Sequence, residues 1–275
     1  MCSLGSVLGR SRPAIVDTQF LMIRSPSNPK IRLAQSVREG RNRGLALVEG
    51  ERGVMEALEA GLEFELLLAT PEATEAIERD MPVAVETLRP LATSPQLLAE
   101  LTDLGSPRDA IAVVRRPLPP AGELPADPPA RAMVYADQVQ DPVNLGALAR
   151  VCAASGVDTL LTSPGCAHPN HHRAIRASAF SLLTLSTYPQ VRWPDLRSAT
   201  ASTSTWLALD PRAQQTIYDC EIASPLVVVI GGEMGIAPEH LQEVPCAAIP
   251  MPGKVESLNL AVAAGIALFE WVRRL

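Results

Sequence analysis

Six prolines fall within the seventeen residues 115–131, RRPLPPAGELPADPPAR. Proline lacks a backbone N–H and fixes φ, so neither a helix nor a central strand runs through such a stretch. It is the sharpest break in a chain of 275 residues, a length that suggests about two domains. We therefore read residues 22–114 as one unit, 115–131 as a semi-rigid linker and 132–275 as a second unit. Residues 1–21 show no period and are read as a loose leader.

Both units pattern as α/β. In the first, Pro29–Val37 has helical spacing, and Glu51–Ala60 is helical and stops at Gly61. Leu45–Val48, Phe64–Ala69, Val83–Val85 and Ala110–Val114 are short apolar strand candidates. In the second, the strand candidates are Met133–Ala136, Val157–Thr162, Thr205–Leu209, Leu226–Ile230 and Ala247–Met251. Helical patterns cover Leu145–Ala154, the stretch around Ala174, and Leu258–Arg274. Near-continuous apolar strands predict a parallel sheet covered on both faces. Ligands of such sheets sit beyond the carboxyl ends of the strands, here after Ala136, Leu209, Ile230 and Met251.

Composition narrows the classes. Hydrophobic residues make up 47% and charged residues 20%, ordinary for a globular chain. No apolar run reaches the ~18–20 residues of a membrane span, and no signal-peptide pattern opens the chain, so a cytoplasmic protein is expected. The five cysteines are scattered without a CxxC, which points to reduced thiols and to no metal site. The His168, His171, His172 cluster reads as a polar loop. Net charge is −6, yet its distribution is uneven. Residues 22–45 hold six basic side chains (Arg24, Lys30, Arg32, Arg38, Arg41, Arg43) against one acidic, whereas residues 46–103 hold thirteen acidic against three basic. Such asymmetry marks either a solvated helix face or a basic face that suits a polyanionic partner; Arg173 and Arg176 could contact phosphate. With ten aromatics in all, stacking of bases is not expected to dominate.

Three segments at predicted strand ends could carry chemistry. The first is DQVQDPVNLGALAR, residues 137–150, where Asp141 suits an N-cap and Pro142 the first helical position. Gly146 inside that helix predicts a close approach of another backbone. Asn144 and Arg150 lie about 120° apart around it. The second segment is VVVIGGEMG, with Gly231, Gly232 and Glu233 directly after a strand. The third is IPMPGKVESLNL, in which Ser257 and Asn259 flank Leu258 at a helix entrance.

Taken together and in order, these segments resemble the SpoU (TrmH-like) family of RNA ribose methyltransferases, over residues 132–275. SPSNPKIRLAQSVREGRNRGLALVEGERGVMEAL resembles the family's accessory substrate-binding domain. The resemblance implies a parallel α/β sheet with a deep C-terminal trefoil knot, preceded by a small α/β/α RNA-binding module. It implies S-adenosylmethionine as cofactor, a homodimer, and methylation of a ribose 2′-hydroxyl in RNA. Residue by residue, it implies catalytic roles for Asn144, Arg150, Glu233, Ser257 and Asn259. It places the cofactor near Leu209, Gly231, Gly232, Ile249 and Leu258. The accessory domain favours ribosomal over transfer RNA, with Arg24, Lys30, Arg41, Arg43 and Arg176 expected on the RNA. Intact Asn144, Arg150 and Ser257-Leu258-Asn259 disfavour a non-catalytic RNA-binding protein of the same fold. Two departures stand out. Only Met234 separates Glu233 from Gly235 where the family usually has one residue more, and Ala179-Phe180 stands where Ala-Gly is frequent.

Overall fold

Alternation of side chains along the strands decides the layering of the first unit. The computed structural model describes residues 22–81, 88–103, 110–126, 131–157 and 159–275. The leader and the strand candidate Val83–Val85 lie outside the described residues. Strands β1 (Leu45–Glu49), β2 (Phe64–Ala69), β3 (Leu91–Ala92) and β4 (Ala110–Arg115) form a sheet in the order β1-β4-β2-β3. β4 runs antiparallel to both neighbours. Successive side chains on a strand face opposite ways. Leu47, Leu66, Leu68, Ile111 and Val113 therefore pack on helices α1 (Pro29–Arg38) and α4 (Pro95–Glu100). Ala46, Val48, Leu67, Ala69, Ala112 and Val114 face the other way, toward α2 (Glu51–Glu59) and α3 (Pro71–Asp80). Side-chain caps begin three of these helices: Asn28 for α1, Thr70 for α3 and Ser94 for α4.

The second unit is a six-stranded, all-parallel sheet. Its strands are β5 (Ala132–Asp137), β6 (Thr159–Thr162), β7 (Ser186–Tyr188), β8 (Thr205–Leu209), β9 (Leu226–Gly231) and β10 (Cys246–Ala247), in the order β10-β8-β9-β5-β6-β7. Every residue of the central strand β5 is buried, as a sheet covered on both faces requires. One face packs on α5 (Pro142–Ser155) and α9 (Leu260–Arg273) through Leu145, Leu148, Cys152, Leu268 and Trp271. The other packs on α7 (Trp193–Thr200) and on α8 (Pro238–Leu241), with Tyr135, Trp193 and Trp206 at its centre. Helix α6 (His172–Ala177) lies against α5. Cys152, Cys166, Cys220 and Cys246 are free, and burial pushes the Cys152 thiol up to about 12.

Helix α5 starts three residues before the sequence expectation and α9 two residues after it, and two strands differ from expectation by more than one residue at an end. Strand β6 starts at Thr159 rather than Val157, because Gly156, at φ 77°, turns the chain out of α5 and the Val157 N–H stays bonded to the Cys152 carbonyl. Of the expected strand Ala247–Met251, only Ala247 pairs with β8; Ala248 exchanges its backbone bonds with Gln215 and Ile217 instead.

The proline-rich segment is a covalent link between units that also pack directly. One buried apolar cluster runs from Val48, Val54 and Ala57 of the first unit to Leu145, Ile175 and Leu182 of the second. Phe180 fills the joint from a left-handed backbone, φ 71°. Its ring edge lies where a Cβ on Gly53 would stand, 2.7 Å away, so the bare backbone of α2 is the dent that receives it. Polar groups close the rim. The Glu49 carboxylate accepts from Arg176 and from the Thr102 hydroxyl. Asp103 takes Arg38, His172 and Arg173, which together hold its carboxyl far below the ordinary carboxylate range. Arg116, buried at the end of β4, donates to Asn170 and Thr187, and burial lowers its pKa to about 10.

Candidate active site

The carboxyl ends of β5, β8 and β9 and the segment after β10 form one rim, and the implied site residues lie on the segments that leave it, with Arg150 further along α5. Asp141 caps α5, accepting from the Val143 N–H at 2.9 Å, and so sets Asn144 in the first turn. Gly146 is needed where α5 meets α6. A Cβ there would stand 2.3 Å from the Ala174 carbonyl oxygen and 2.7 Å from the Ala177 methyl. Arg150 follows just under two turns along, about 9 Å further down the axis from Asn144. It is exposed and makes no side-chain hydrogen bond or ion pair among the described residues.

The loop after β9 is tightly folded on itself. A Cβ on Gly231 would meet the Gly235 carbonyl carbon at 2.3 Å, and one on Gly232 the Gln138 carbonyl oxygen at 2.3 Å. The two glycines are thus required by the turn itself, before any ligand is considered. Glu233 projects outward, exposed and without a polar partner among the described residues. Met234 beside it is 95% exposed.

Asn259 caps α9: its Oδ1 accepts from the Ala261 N–H at 2.9 Å. Its Nδ2 donates to Asn144 Oδ1 at 3.2 Å. That contact joins the first and third motif segments across 115 positions of sequence. Ser257 is exposed and without a side-chain partner among the described residues. Of the five residues given catalytic roles, the structure brings Asn144 and Asn259 into contact; Arg150, Glu233 and Ser257 stand open to solvent.

The implied cofactor positions share that rim. Leu209 ends β8, Gly231 ends β9, and Ile249 follows β10, a neighbour of β8. These three, together with Gly232 and Leu258, are half-buried. Apolar side chains alternating with bare backbone suit an adenosine, whose faces are apolar and whose edges seek backbone hydrogen bonds. The residues present therefore fit S-adenosylmethionine.

The cations expected on RNA divide. Arg24, Lys30 and Arg43 are exposed with no ion pair among the described residues, as is Arg32. Arg41 is paired with Glu39. Arg176 sits in the joint between the units, paired with Glu49 at 3.1 Å. The three histidines are committed locally: His168 accepts from the Asn170 N–H, His171 from the Arg173 N–H, and His172 meets Asp103. Burial, aided by Arg43 and Arg116, lowers His168 to about 4.

Similarity to known proteins identifies the family. The SpoU rRNA methylase family matches residues 131–269, and an MRM3-like substrate-binding domain matches residues 28–112. The chain belongs to the SpoU rRNA methylase family. An uncharacterized tRNA/rRNA methyltransferase of Synechocystis is 28% identical over 258 residues, 90% of this chain and 92% of that one. The 23S rRNA (uridine(2479)-2′-O)-methyltransferase of Streptomyces viridochromogenes is 27% identical, covering 84% of this chain and 83% of its own. Among solved structures, an RNA 2′-O ribose methyltransferase superposes with a TM-score of 0.77 at 27% identity, over 91% of this chain and 97% of that one. AviRb of S. viridochromogenes, a SpoU methyltransferase bound to S-adenosylmethionine, superposes with a TM-score of 0.76 at 26% identity, over 90% and 98%. S-adenosylmethionine is the cofactor of the family.

Sequence reasoning gave no role to two residues that flank the loop after β9, Asp137 and His240. Asp137, at the last position of β5, is 1% exposed and touches the loop that carries Glu233. The signal was present as an acidic residue ending an otherwise apolar strand, but its partner lies 103 positions away.

Proposed function

We propose that the protein transfers the methyl group of S-adenosylmethionine to a ribose 2′-hydroxyl of ribosomal RNA, acting as a homodimer in the cytoplasm. The observation that carries this reading is the Asn144–Asn259 contact, which holds the first and third family segments at one rim beside an unpartnered Arg150. The cofactor supplies an electrophilic methyl on a sulfonium. The protein's task is to align the attacking oxygen and keep it free of water's competition. Arg150, a protonated fork with no internal partner, is suited to hold the phosphate next to the acceptor ribose. Asn144, fixed through Asn259, offers an amide to the ribose, and Glu233 an acceptor for its hydroxyls. Ser257 adds a hydroxyl at the same entrance.

The dimer reading is supported by an exposed apolar face on α9 and the start of α5. Val262 is 52%, Phe269 51% and Val143 44% exposed, more than isolated surface residues explain. A second copy on this face would cover them and bring its own groups to the gap between Asn144 and Arg150. The implied knot belongs to the same reading, supported by the strand order β10-β8-β9-β5 and the packing of α9 on α5. Residues 22–114 would grip RNA through Arg24, Lys30, Arg32 and Arg43. Calorimetry with S-adenosylmethionine, followed by labelled-methyl transfer to ribosomal RNA fragments, tests the proposal. Cofactor binding and 2′-O-methylated product are expected; absence of binding at millimolar cofactor overturns it and leaves an RNA-binding protein of this fold.

A further inference from the structure

Asp137 holds both ends of the loop that presents Glu233. Its backbone carbonyl accepts from the Gly232 N–H at 2.8 Å, where the loop begins. Its Oδ2 accepts from the Ala237 N–H at 3.0 Å, where the loop ends and α8 starts. The same oxygen meets His240 Nδ1 at 2.8 Å, and since the carboxylate only accepts, the imidazole is the donor. His240 is itself fixed by stacking on Trp193, with ring centroids 4.1 Å apart and planes 15° apart. Trp193 is in turn tied through Nε1 to Glu243 at 2.9 Å. The chain of contacts thus runs from the packed face of the sheet to the rim.

We propose that Asp137 and His240 are positioning residues that fix the Gly232–Ala237 loop, and with it Glu233, for the reaction named above. The inference rests on that functional reading. Three features set the pair apart from a carboxylate that merely stabilises the fold. Its bonds converge on a single loop. That loop carries a residue with an implied catalytic role, whose own side chain has no polar contact to hold it. Asp137 Oδ1 is buried without a partner, so the carboxylate is not optimised for stability alone. The loop is also one residue shorter than is usual in the family, which leaves fewer internal bonds to define its shape; within it the Gly235 N–H to Gly232 carbonyl bond is the one backbone turn.

Two substitutions separate the hydrogen bond from the stacking. His240→Phe keeps the ring on Trp193 and removes the donor; His240→Asn removes the stack and keeps a donor near the Nδ1 position. The loss of a charge-assisted bond corresponds to about a tenfold effect or more. His240→Phe is expected to speed amide exchange at residues 232–237 by about tenfold relative to the β5 amides and to weaken S-adenosylmethionine binding by a similar factor. His240→Asn is expected to stay within about threefold of the wild type in both. A change in melting temperature with unaltered loop exchange and cofactor affinity in His240→Phe overturns the proposal. So does an asparagine variant as impaired as the phenylalanine one. If the wild-type protein binds no S-adenosylmethionine, the functional reading fails, and the exchange measurement still decides whether the pair fixes the loop.

Discussion

Arg176 offers the sharpest quantitative test, because two roles for it predict opposite observables. Its partner Glu49 has a side chain only 2% exposed, while Arg176 itself keeps 28%. Glu49 Oε2 takes the guanidinium at 3.1 Å and the Thr102 hydroxyl at 2.9 Å; Oε1 is buried without a partner. Arg176→Met retains the stem's apolar packing and removes the charge, leaving the carboxylate with one hydroxyl for that oxygen. Breaking a buried pair costs about 3–5 kcal/mol, and since water still reaches Arg176 the lower end applies, about 3 kcal/mol. For a chain of this size that corresponds to roughly 6–12 °C in melting temperature. Adding Glu49→Leu removes the stranded charge and should recover most of the loss, since an apolar pair replaces an ionic one with little penalty. RNA binding supplies the second observable. Each phosphate contact contributes about 0.7 to the slope of log affinity against log salt on single strands. Arg176→Met should leave that slope unchanged, whereas Arg43→Ala should flatten it by about 0.7. A variant at 176 that melts within 2 °C of wild type (a bound set by the ~2–4 °C per kcal/mol scale) and flattens the slope would refute the argument and return Arg176 to the RNA.

Asp103 makes a pH prediction. Its folded-state pKa is depressed, chiefly by hydrogen bonds from His172 and Arg173, so its stabilising contribution is complete above the unfolded value of about 3.9 and is lost as pH falls below it. Urea midpoints should show Asp103→Asn less stable than wild type at pH 7, with the gap narrowing by pH 3; a gap that widens in acid contradicts the sign. Asn259→Ser keeps a capping oxygen but is too short to reach Asn144, so stability should change by less than about 0.5 kcal/mol while single-turnover transfer falls at least tenfold. Arg150→Lys should be nearly as inactive as Arg150→Ala, with cofactor affinity unchanged by calorimetry, because an ammonium cannot reproduce the guanidinium fork.

What the sequence disclosed followed interaction range. Thr205–Leu209 and Phe64–Ala69 were legible to the residue because near-continuous apolar runs mark doubly covered strands. The three-residue β7 and two-residue β3 carried too few side chains to show a period. Asn144 and Asn259 were legible as a pair only through the ordered motifs, since spacing alone does not reveal a contact 115 positions apart. The basic run of residues 24–43 gave a charge count without its compensation. Arg41 turned out to be paired with Glu39 nearby, and Arg38 with Asp103, which no local pattern foretells. Asp137, which opens the first segment, was given no role for a related reason: an acidic residue at a strand end has many ordinary uses, and only the folded loop shows which one it serves.

The seat of Phe180 in the bare backbone of Gly53 gives the molecule the character of a gauge. With a ring lodged in a dent, flanked by Glu49–Arg176 and by Asp103 with its three partners, the two units present their surfaces at a set separation. An RNA gripped by Arg24, Lys30 and Arg32 would then offer to Arg150 whichever nucleotide lies at that distance along its fold. Selection of the target becomes a matter of length and shape more than of base identity, and a nucleotide inserted between grip and target would shift the mark.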